Sequence, residues 1–104
     1  MVPEEADERK LEAELESINV EDELQKLFAR KSTLSEKELD FYSARLNDGE
    51  ILKSKENRLF LASILKDLEA GQDNLQIDTK ILDFMKNHVG ITWCVSLRRI
   101  VAGL

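Results

Sequence analysis

The chain contains one histidine and one cysteine, the two side chains whose chemistry would be most specific. His88 and Cys94 could form a nucleophilic dyad, in which the imidazole takes the proton of the thiol. A nucleophilic thiol needs a lowered pKa, which the N-terminus of a helix can supply, and Cys94 lies in the first turn of a predicted helix. Trp93 and Val95 flank it, however, and apolar neighbours raise a thiol pKa. The sequence therefore favours a small buried Cys94 and a His88 that lies at the surface or caps a helix C-terminus.

Acidic pairs at helical spacing are the other candidates for chemistry. Glu12 with Glu16, and Glu36 with Asp40, would suit a metal site or a pair of catalytic carboxylates. Either use requires a concave pocket, which a small helical domain with few loops rarely offers. The sequence has no Gly-rich phosphate loop, no HExxH motif and no calcium-loop pattern. We therefore expect a non-enzymatic protein with no cofactor and no metal site.

The net charge of −6 is unevenly distributed along the 104 residues. Residues 1–52 contain 15 acidic and 7 basic side chains, whereas residues 53–104 contain 6 acidic and 8 basic side chains. An acidic half repels phosphate backbones, which argues against a nucleic acid as the partner. The acidic N-terminal block is either an arm that docks on a basic partner or a solvated helix face that maintains solubility.

The sequence also gives an expectation for the cellular compartment. No apolar run approaches the roughly 18 residues that would span a bilayer, so no membrane association is expected. The acidic N-terminus resembles neither a secretory signal nor a mitochondrial presequence. Together with a lone cysteine, these features predict a protein of the cytoplasm or the nucleus.

Apolar residues recur at intervals of three and four along most of the chain, which predicts an all-α protein. Four glycines and one proline are too few for the many tight turns of a β-sandwich or barrel. Capping and glycine signals interrupt the apolar pattern repeatedly. The sequence therefore favours a small antiparallel or orthogonal bundle of about five helices over one long coiled coil.

The first predicted helix, over about residues 6–16, is polar and carries only a thin apolar stripe, which makes it marginal by itself. Residues 1–18 are therefore predicted to be an acidic arm or helix that protrudes or is disordered, and residues 19–104 a compact helical domain. Ser17 or Asn19 could cap a second helix that starts at Val20. Alternatively, one long helix runs through to Lys31.

The remaining helices are predicted from their capping signals. Ser35 and Glu38 form a capping box, Gly49 and Gly71 are expected as C-terminal stops, and Asp78 is expected as an N-cap after a polar loop. Residues 89–95 are rich in β-branched side chains and could form a strand, but a lone strand would have no partner. These signals place the later helices over residues 36–47, 55–70, 79–87 and 92–102.

The last predicted helix carries the most specific candidate for a docking surface. Its apolar stripe either closes the core or faces outward, and Trp, Tyr and Arg are the residue types that dominate interface hot spots. The expected partner is another protein, in a hetero-complex or a homodimer, bound by helix-in-groove or helix-on-helix docking. A second candidate face runs from Leu11 to Phe28. The predicted partner-binding residues are Trp93, Leu97, Arg98, Arg99, Ile100, Val101 and Tyr42.

The segment Leu65–Arg99 resembles the small N-terminal helical domain of transcription elongation factor TFIIS. The similarity lies in the segment Gly90-Ile91-Thr92 followed by Leu97-Arg98-Arg99. Between Thr92 and Leu97 this chain has one residue more than that family. Earlier residues that share the similarity are Leu65, Leu68, Thr79, Ile81 and Leu82. The resemblance implies a nuclear docking domain that binds short motifs of disordered transcription regulators. It is an alternative to a general interaction module; a small enzyme that uses Cys94 is a second alternative.

Overall fold

The computed structural model describes residues 3–86 and 90–104. Within these ranges it contains seven helices and no strand, so the predicted all-α bundle is confirmed and the strand over residues 89–95 is replaced by helix from Ile91 onward. No helix in the described part of the chain is long and apolar enough to cross a membrane. The helices are α1 (Pro3–Ser17), α2 (Val20–Phe28), α3 (Glu36–Leu46), α4 (Gly49–Leu52), α5 (Lys55–Glu69), α6 (Asn74–Met85) and α7 (Ile91–Gly103).

Three of the predicted helix boundaries are confirmed by their capping contacts. The backbone N–H of Asp22 donates to Asn19 Oδ1 at 3.1 Å, so α2 begins after Asn19 and one helix does not run through to residue 31. At α3, the Glu38 N–H donates to Ser35 Oγ at 3.2 Å and the Ser35 N–H donates to Glu38 Oε1 at 3.4 Å, which completes the capping box. Gly71 follows α5 with φ of 76°, a conformation that favours glycine.

Two other boundaries differ from the prediction because neighbouring aspartates cap earlier. Asp48 accepts the Glu50 N–H at 2.9 Å, so Gly49 begins the short helix α4 in the predicted connector and does not end α3 in a left-handed conformation. Asp73 accepts the Leu75 N–H at 3.1 Å, so α6 begins more than a turn before the predicted start. Asp78 therefore lies inside α6, where its carboxylate is available for another contact.

The helices pack in two groups that share α6. Helix α5 packs against α1, α2, α4 and α6, and helix α7 packs against α3 and α6. The side chains that fill the space between them are fully or almost fully buried and come from six of the seven helices, α2 to α7. The largest are Trp93, Leu24, Leu46, Leu61, Ile64, Ile77, Ile81, Leu97 and Ile100.

Trp93 connects three helices around the centre of this core. Its side chain is only 1% exposed, and its Nε1–H donates to the carbonyl oxygen of Leu46 in α3 at 3.2 Å. The centroid of its ring lies 6.3 Å from that of Phe60 in α5. Phe60 in turn stacks on Phe84 of α6 with a centroid distance of 3.9 Å. The indole is thus both a packing element and a satisfied hydrogen-bond donor.

The C-terminal end of α7 is joined to the loop that precedes α3. The N–H and the hydroxyl of Thr33 both donate to the carbonyl oxygen of Gly103, at 2.7 and 3.2 Å. A Cβ atom at residue 103 would lie 2.8 Å from Leu34 Cγ and 2.8 Å from Ser32 Oγ. The close approach of the two segments therefore requires glycine at this position.

Helix α1 is held against α5 largely by charged side chains. Lys55 Nζ lies 2.7 Å from Glu16 Oε1 and 3.1 Å from Glu12 Oε1, and Lys66 Nζ lies 2.7 Å from Glu14 Oε2. All five of these side chains are substantially exposed, and such pairs contribute little individually. The division of the chain into an arm of residues 1–18 and a domain of residues 19–104 stays a prediction.

We expect Trp93→Ala to lower the free energy of unfolding by about 3–5 kcal/mol, because it removes the largest core side chain and leaves a cavity. Urea unfolding followed by far-ultraviolet circular dichroism measures the change. Trp93→Phe retains an aromatic ring and should lower the free energy of unfolding by less than Trp93→Ala does. The exposed Leu75→Ala serves as control and should change the free energy of unfolding by no more than about 0.5 kcal/mol. A Trp93→Ala variant as stable as the control would contradict the described core.

We expect acidification to loosen α1 before the rest of the bundle. The hydrogen bond and charge of Lys66 lower the pKa of Glu14 below its ordinary value of 4.5. This contact stabilises the attached helix above pH 4.5 and is lost as the pH falls through the lowered pKa. The pKa of Lys55 is raised by Glu16 and Glu12, so that contact persists to high pH. The protection factors of amides 10–17 against hydrogen exchange should fall in acid more than those of α5, and an equal fall in both helices would contradict the expectation.

Candidate functional site

The apolar residues that the sequence predicted as partner-binding lie in the core. Trp93, Leu97, Ile100 and Val101 are all at most 2% exposed. A side chain buried in this way cannot contact another protein while the bundle is folded. The prediction that this stripe offers its face outward is therefore wrong, and its stated alternative, closure of the intramolecular core, is correct. The reason is that α3 and α6 both pack on the apolar side of α7.

Beside their contact, α6 and α7 border a groove at the surface, which we call the α6–α7 groove. Its volume is about 490 Å³. Three of the predicted residues, Arg98, Arg99 and Val101, lie in its lining, although Val101 is only 2% exposed. The complete lining consists of Asn74, Leu75, Asp78, Val95, Arg98, Arg99, Val101 and Ala102.

Exposed apolar side chains border the α6–α7 groove on both helices. Leu75 of α6 is 70% exposed and Val95 of α7 is 36% exposed. Leu82 lies seven residues after Leu75 on α6 and Ile91 lies four residues before Val95 on α7, but neither side chain is part of the groove lining. Leu82 and Ile91 are also exposed. Together these four are most of the large exposed hydrophobic side chains in the described part of the chain, the others being Leu11 and Phe41.

An ion pair fixes one of the two arginines of the groove. Arg98 Nε donates to Asp78 Oδ1 at 2.7 Å, and its Nη2 donates to Asp78 Oδ2 at 3.2 Å. This two-point contact raises the pKa of Arg98, chiefly through the hydrogen bond to Asp78. Such geometry holds the guanidinium in one orientation. Arg98 therefore bridges α6 and α7 and its charge is compensated.

Arg99 presents the uncompensated positive charge of the groove. It is exposed, and no carboxylate of the described residues lies within ion-pair distance of it. Helix α7 contains two arginines and no acidic residue. The α6–α7 groove is therefore a basic and apolar surface on a chain whose net charge is −6.

Tyr42 lies outside the α6–α7 groove. Its ring is half-buried on α3 and meets the exposed ring of Phe41 edge-on, with centroids 5.4 Å apart. The guanidinium of Arg45 lies 4.1 Å from the centroid of Phe41. Tyr42 thus packs partly against the core, and the structure does not bring it together with Arg98 and Arg99.

The geometry around Cys94 opposes a nucleophilic role. Its side chain is buried, and burial raises the pKa of the thiol, whereas a nucleophile requires a lowered pKa. His88, the other member of the dyad considered from the sequence, lies outside the described residues, so both predictions about it stay predictions. Among residues 3–86 and 90–104, no three or more His, Cys, Asp or Glu side chains are grouped as a metal site would require.

Sequence reasoning missed the α6 side of the groove. Leu75 was assigned to a polar loop, because Asp78 was taken as the N-cap of the following helix. Leu75, Asp78 and Leu82 recur at i, i+3 and i+7, and this spacing was the signal that one helix face carries all three. The sequence predicts Val95 as a neighbour of Cys94 and as part of a possible strand, not as a groove residue.

These features define a small helical bundle domain with one basic and apolar groove between its last two helices. A family model, described as the AMN1 C-terminal bundle domain, matches residues 35–104. The match covers 70 of the 104 residues, from the N-cap of α3 through α7. The chain therefore belongs to the family of the AMN1 C-terminal bundle domain.

The other comparisons add no relative. No curated protein and no solved structure matches the chain. The family shown by residues 35–104 is a different one from the TFIIS-like domains that residues 65–99 resemble.

We expect the contact between Arg98 and Asp78 to contribute about 0.2–1 kcal/mol to the free energy of unfolding, since both side chains are about one-third exposed. A double-mutant cycle with Arg98→Ala, Asp78→Ala and the combined variant measures the coupling energy. A parallel cycle on the exposed pair of Lys53 and Glu50 should give a smaller coupling. Zero coupling in the first cycle would contradict an α6–α7 bridge.

Proposed function

We propose that this protein is a non-enzymatic protein-interaction module that docks a helix of another protein in the α6–α7 groove. The observation that carries the proposal is the pair of exposed apolar side chains, Leu75 of α6 and Val95 of α7, on the two sides of the groove. Apolar side chains grouped along a groove are typical of surfaces that bind other proteins.

The construction of the bundle supports this use. A docking surface is effective when rigid elements hold it in its binding conformation. Helix α7 is anchored on its buried side by Trp93 and at its C-terminal end by the bonds from Thr33 to Gly103. On the groove side, Arg98 fixes its distance from α6 through Asp78. The groove therefore has preformed walls.

Membership in a bundle-domain family is in keeping with a binding role, because helical bundles of this size serve as scaffolds whose surface determines the function. The buried Cys94 with its raised pKa gives no support to the alternative of a cysteine enzyme. A transcription-associated docking domain remains the more specific form of the same proposal, and the cytoplasm or the nucleus remains the proposed location.

Charge placed in the groove should abolish partner binding without unfolding the bundle. We expect the Leu75→Lys and Val95→Lys variants to fail to bind proteins that the wild-type chain binds, because each substitution replaces an exposed apolar contact by a hydrated cation. Quantitative comparison of proteins retained from an extract of the source cells measures the loss. Thermal unfolding checks that each variant is folded.

The matched control is Leu11→Lys, which makes the same change at a leucine that is 50% exposed on α1. It should retain the same proteins as the wild type. If the groove variants and the control bind the same proteins from the extract, the α6–α7 groove is not the docking surface. If the control alone loses them, the second sequence-predicted face, Leu11–Phe28, is the docking surface instead.

A further inference from the structure

We infer that the segment bound in the α6–α7 groove is an acidic amphipathic helix that contacts it over about two turns, with a carboxylate that pairs with Arg99. This inference rests on the proposed function and specifies the chemistry of its partner. It follows from the charges of the groove, from the length of its walls and from the positions of its apolar side chains.

The charges of the groove select an acidic partner. Asp78 is the only carboxylate in its lining, and both oxygens of that carboxylate already accept hydrogen bonds from Arg98. Arg99 is left with a planar guanidinium at the surface, which is suited to two-point recognition of a carboxylate. A basic segment would meet repulsion from Arg99 with no available carboxylate in the lining to compensate for it.

The dimensions of the groove select a helix. On α7, the lining of the groove extends from Val95 to Ala102, and at 1.5 Å per residue this corresponds to about 10 Å, or two helical turns. Exposed apolar side chains occur on both walls rather than on one, as a helix lying between two helices requires. Apolar residues of the partner at i, i+3 or i+4, and i+7 would contact Leu75 and Val95.

Two other occupants fit the groove less well. Helix α1 of a second copy is acidic, but Glu12, Glu14 and Glu16 are already paired with lysines of α5. A nucleic acid would gain only one uncompensated cation here, which is too few for phosphate binding, and the apolar walls would gain nothing from a phosphate backbone.

A displayed library of 16-residue peptides tests the inference. Each peptide carries leucine at the i, i+4, i+7 and i+11 positions of a helix and random residues, including Glu, Asp, Lys and Arg, elsewhere. Selection on the wild-type chain should enrich peptides with Glu or Asp beside the leucine row. Synthetic copies of the enriched peptides should bind Arg99→Ala at least about tenfold more weakly, because a charge-assisted hydrogen bond is lost.

A charge reversal and a matched control sharpen the test. Selection on Arg99→Glu should enrich Lys and Arg at the positions that were acidic. Arg30→Ala, which removes an exposed arginine outside the groove, should leave the affinities unchanged. Because Arg99 is exposed, its variants should retain the thermal unfolding midpoint of the wild type.

The outcomes separate this inference from the proposed function. The enriched peptides could lack acidic residues and still bind Val95→Lys more weakly than the wild type. That result would contradict an acidic partner but would support the α6–α7 groove as the docking surface. Peptides insensitive to Val95→Lys, or no enrichment, would contradict both. Self-association seen by sedimentation, and abolished by Arg99→Glu, would identify a second copy as the occupant and would overturn a foreign acidic helix.

Discussion

Burial of the indole of Trp93 is the contact on which the arrangement of the other helices depends. The ring contacts α3 and lies beside Phe60 of α5, and an unsatisfied indole N–H at this buried position would be costly. The carbonyl of Leu46 at the C-terminal end of α3 accepts it at 3.2 Å. This bond fixes α7 relative to α3, while the stack of Phe60 on Phe84 fixes α5 relative to α6. With its apolar stripe directed inward, α7 can offer outward only the edge that borders α6.

The sequence predicted most of the helices because their caps are local. Asn19 and Ser35 each bind a backbone N–H three residues away, so the contact is visible as a short motif. The prediction failed where two local motifs compete. Asp73 and Asp78 can each cap a helix; in the structure Asp73 is the cap, and Asp78 pairs with Arg98 instead. That pairing joins residues 20 apart in the sequence, and no local pattern contains it.

The candidate site was harder to predict than the fold for a related reason. Spacing of apolar residues identifies the apolar face of α7, but it does not determine whether that face is covered. In a chain of this size, the strongest stripe is needed for the core, so Trp93 and Leu97 are buried and the weaker features next to them remain at the surface. Arg98 and Arg99 were correctly placed beside the stripe, yet their different environments, one paired with Asp78 and one exposed, depend on the position of α6.

The junction of Thr33 with Gly103 has a consequence for the order of folding. Its hydrogen bonds connect residues 70 apart in the sequence, and α3, which follows Thr33, packs mainly on α7. Helices α4, α5 and α6 find partners among their neighbours in the sequence, so they can associate while the chain is still being synthesised. Helix α3 emerges from the ribosome before them, but it cannot pack on its main partner until α7 has been synthesised. During translation, the apolar side of α3 is therefore the part of the bundle that most needs protection from aggregation.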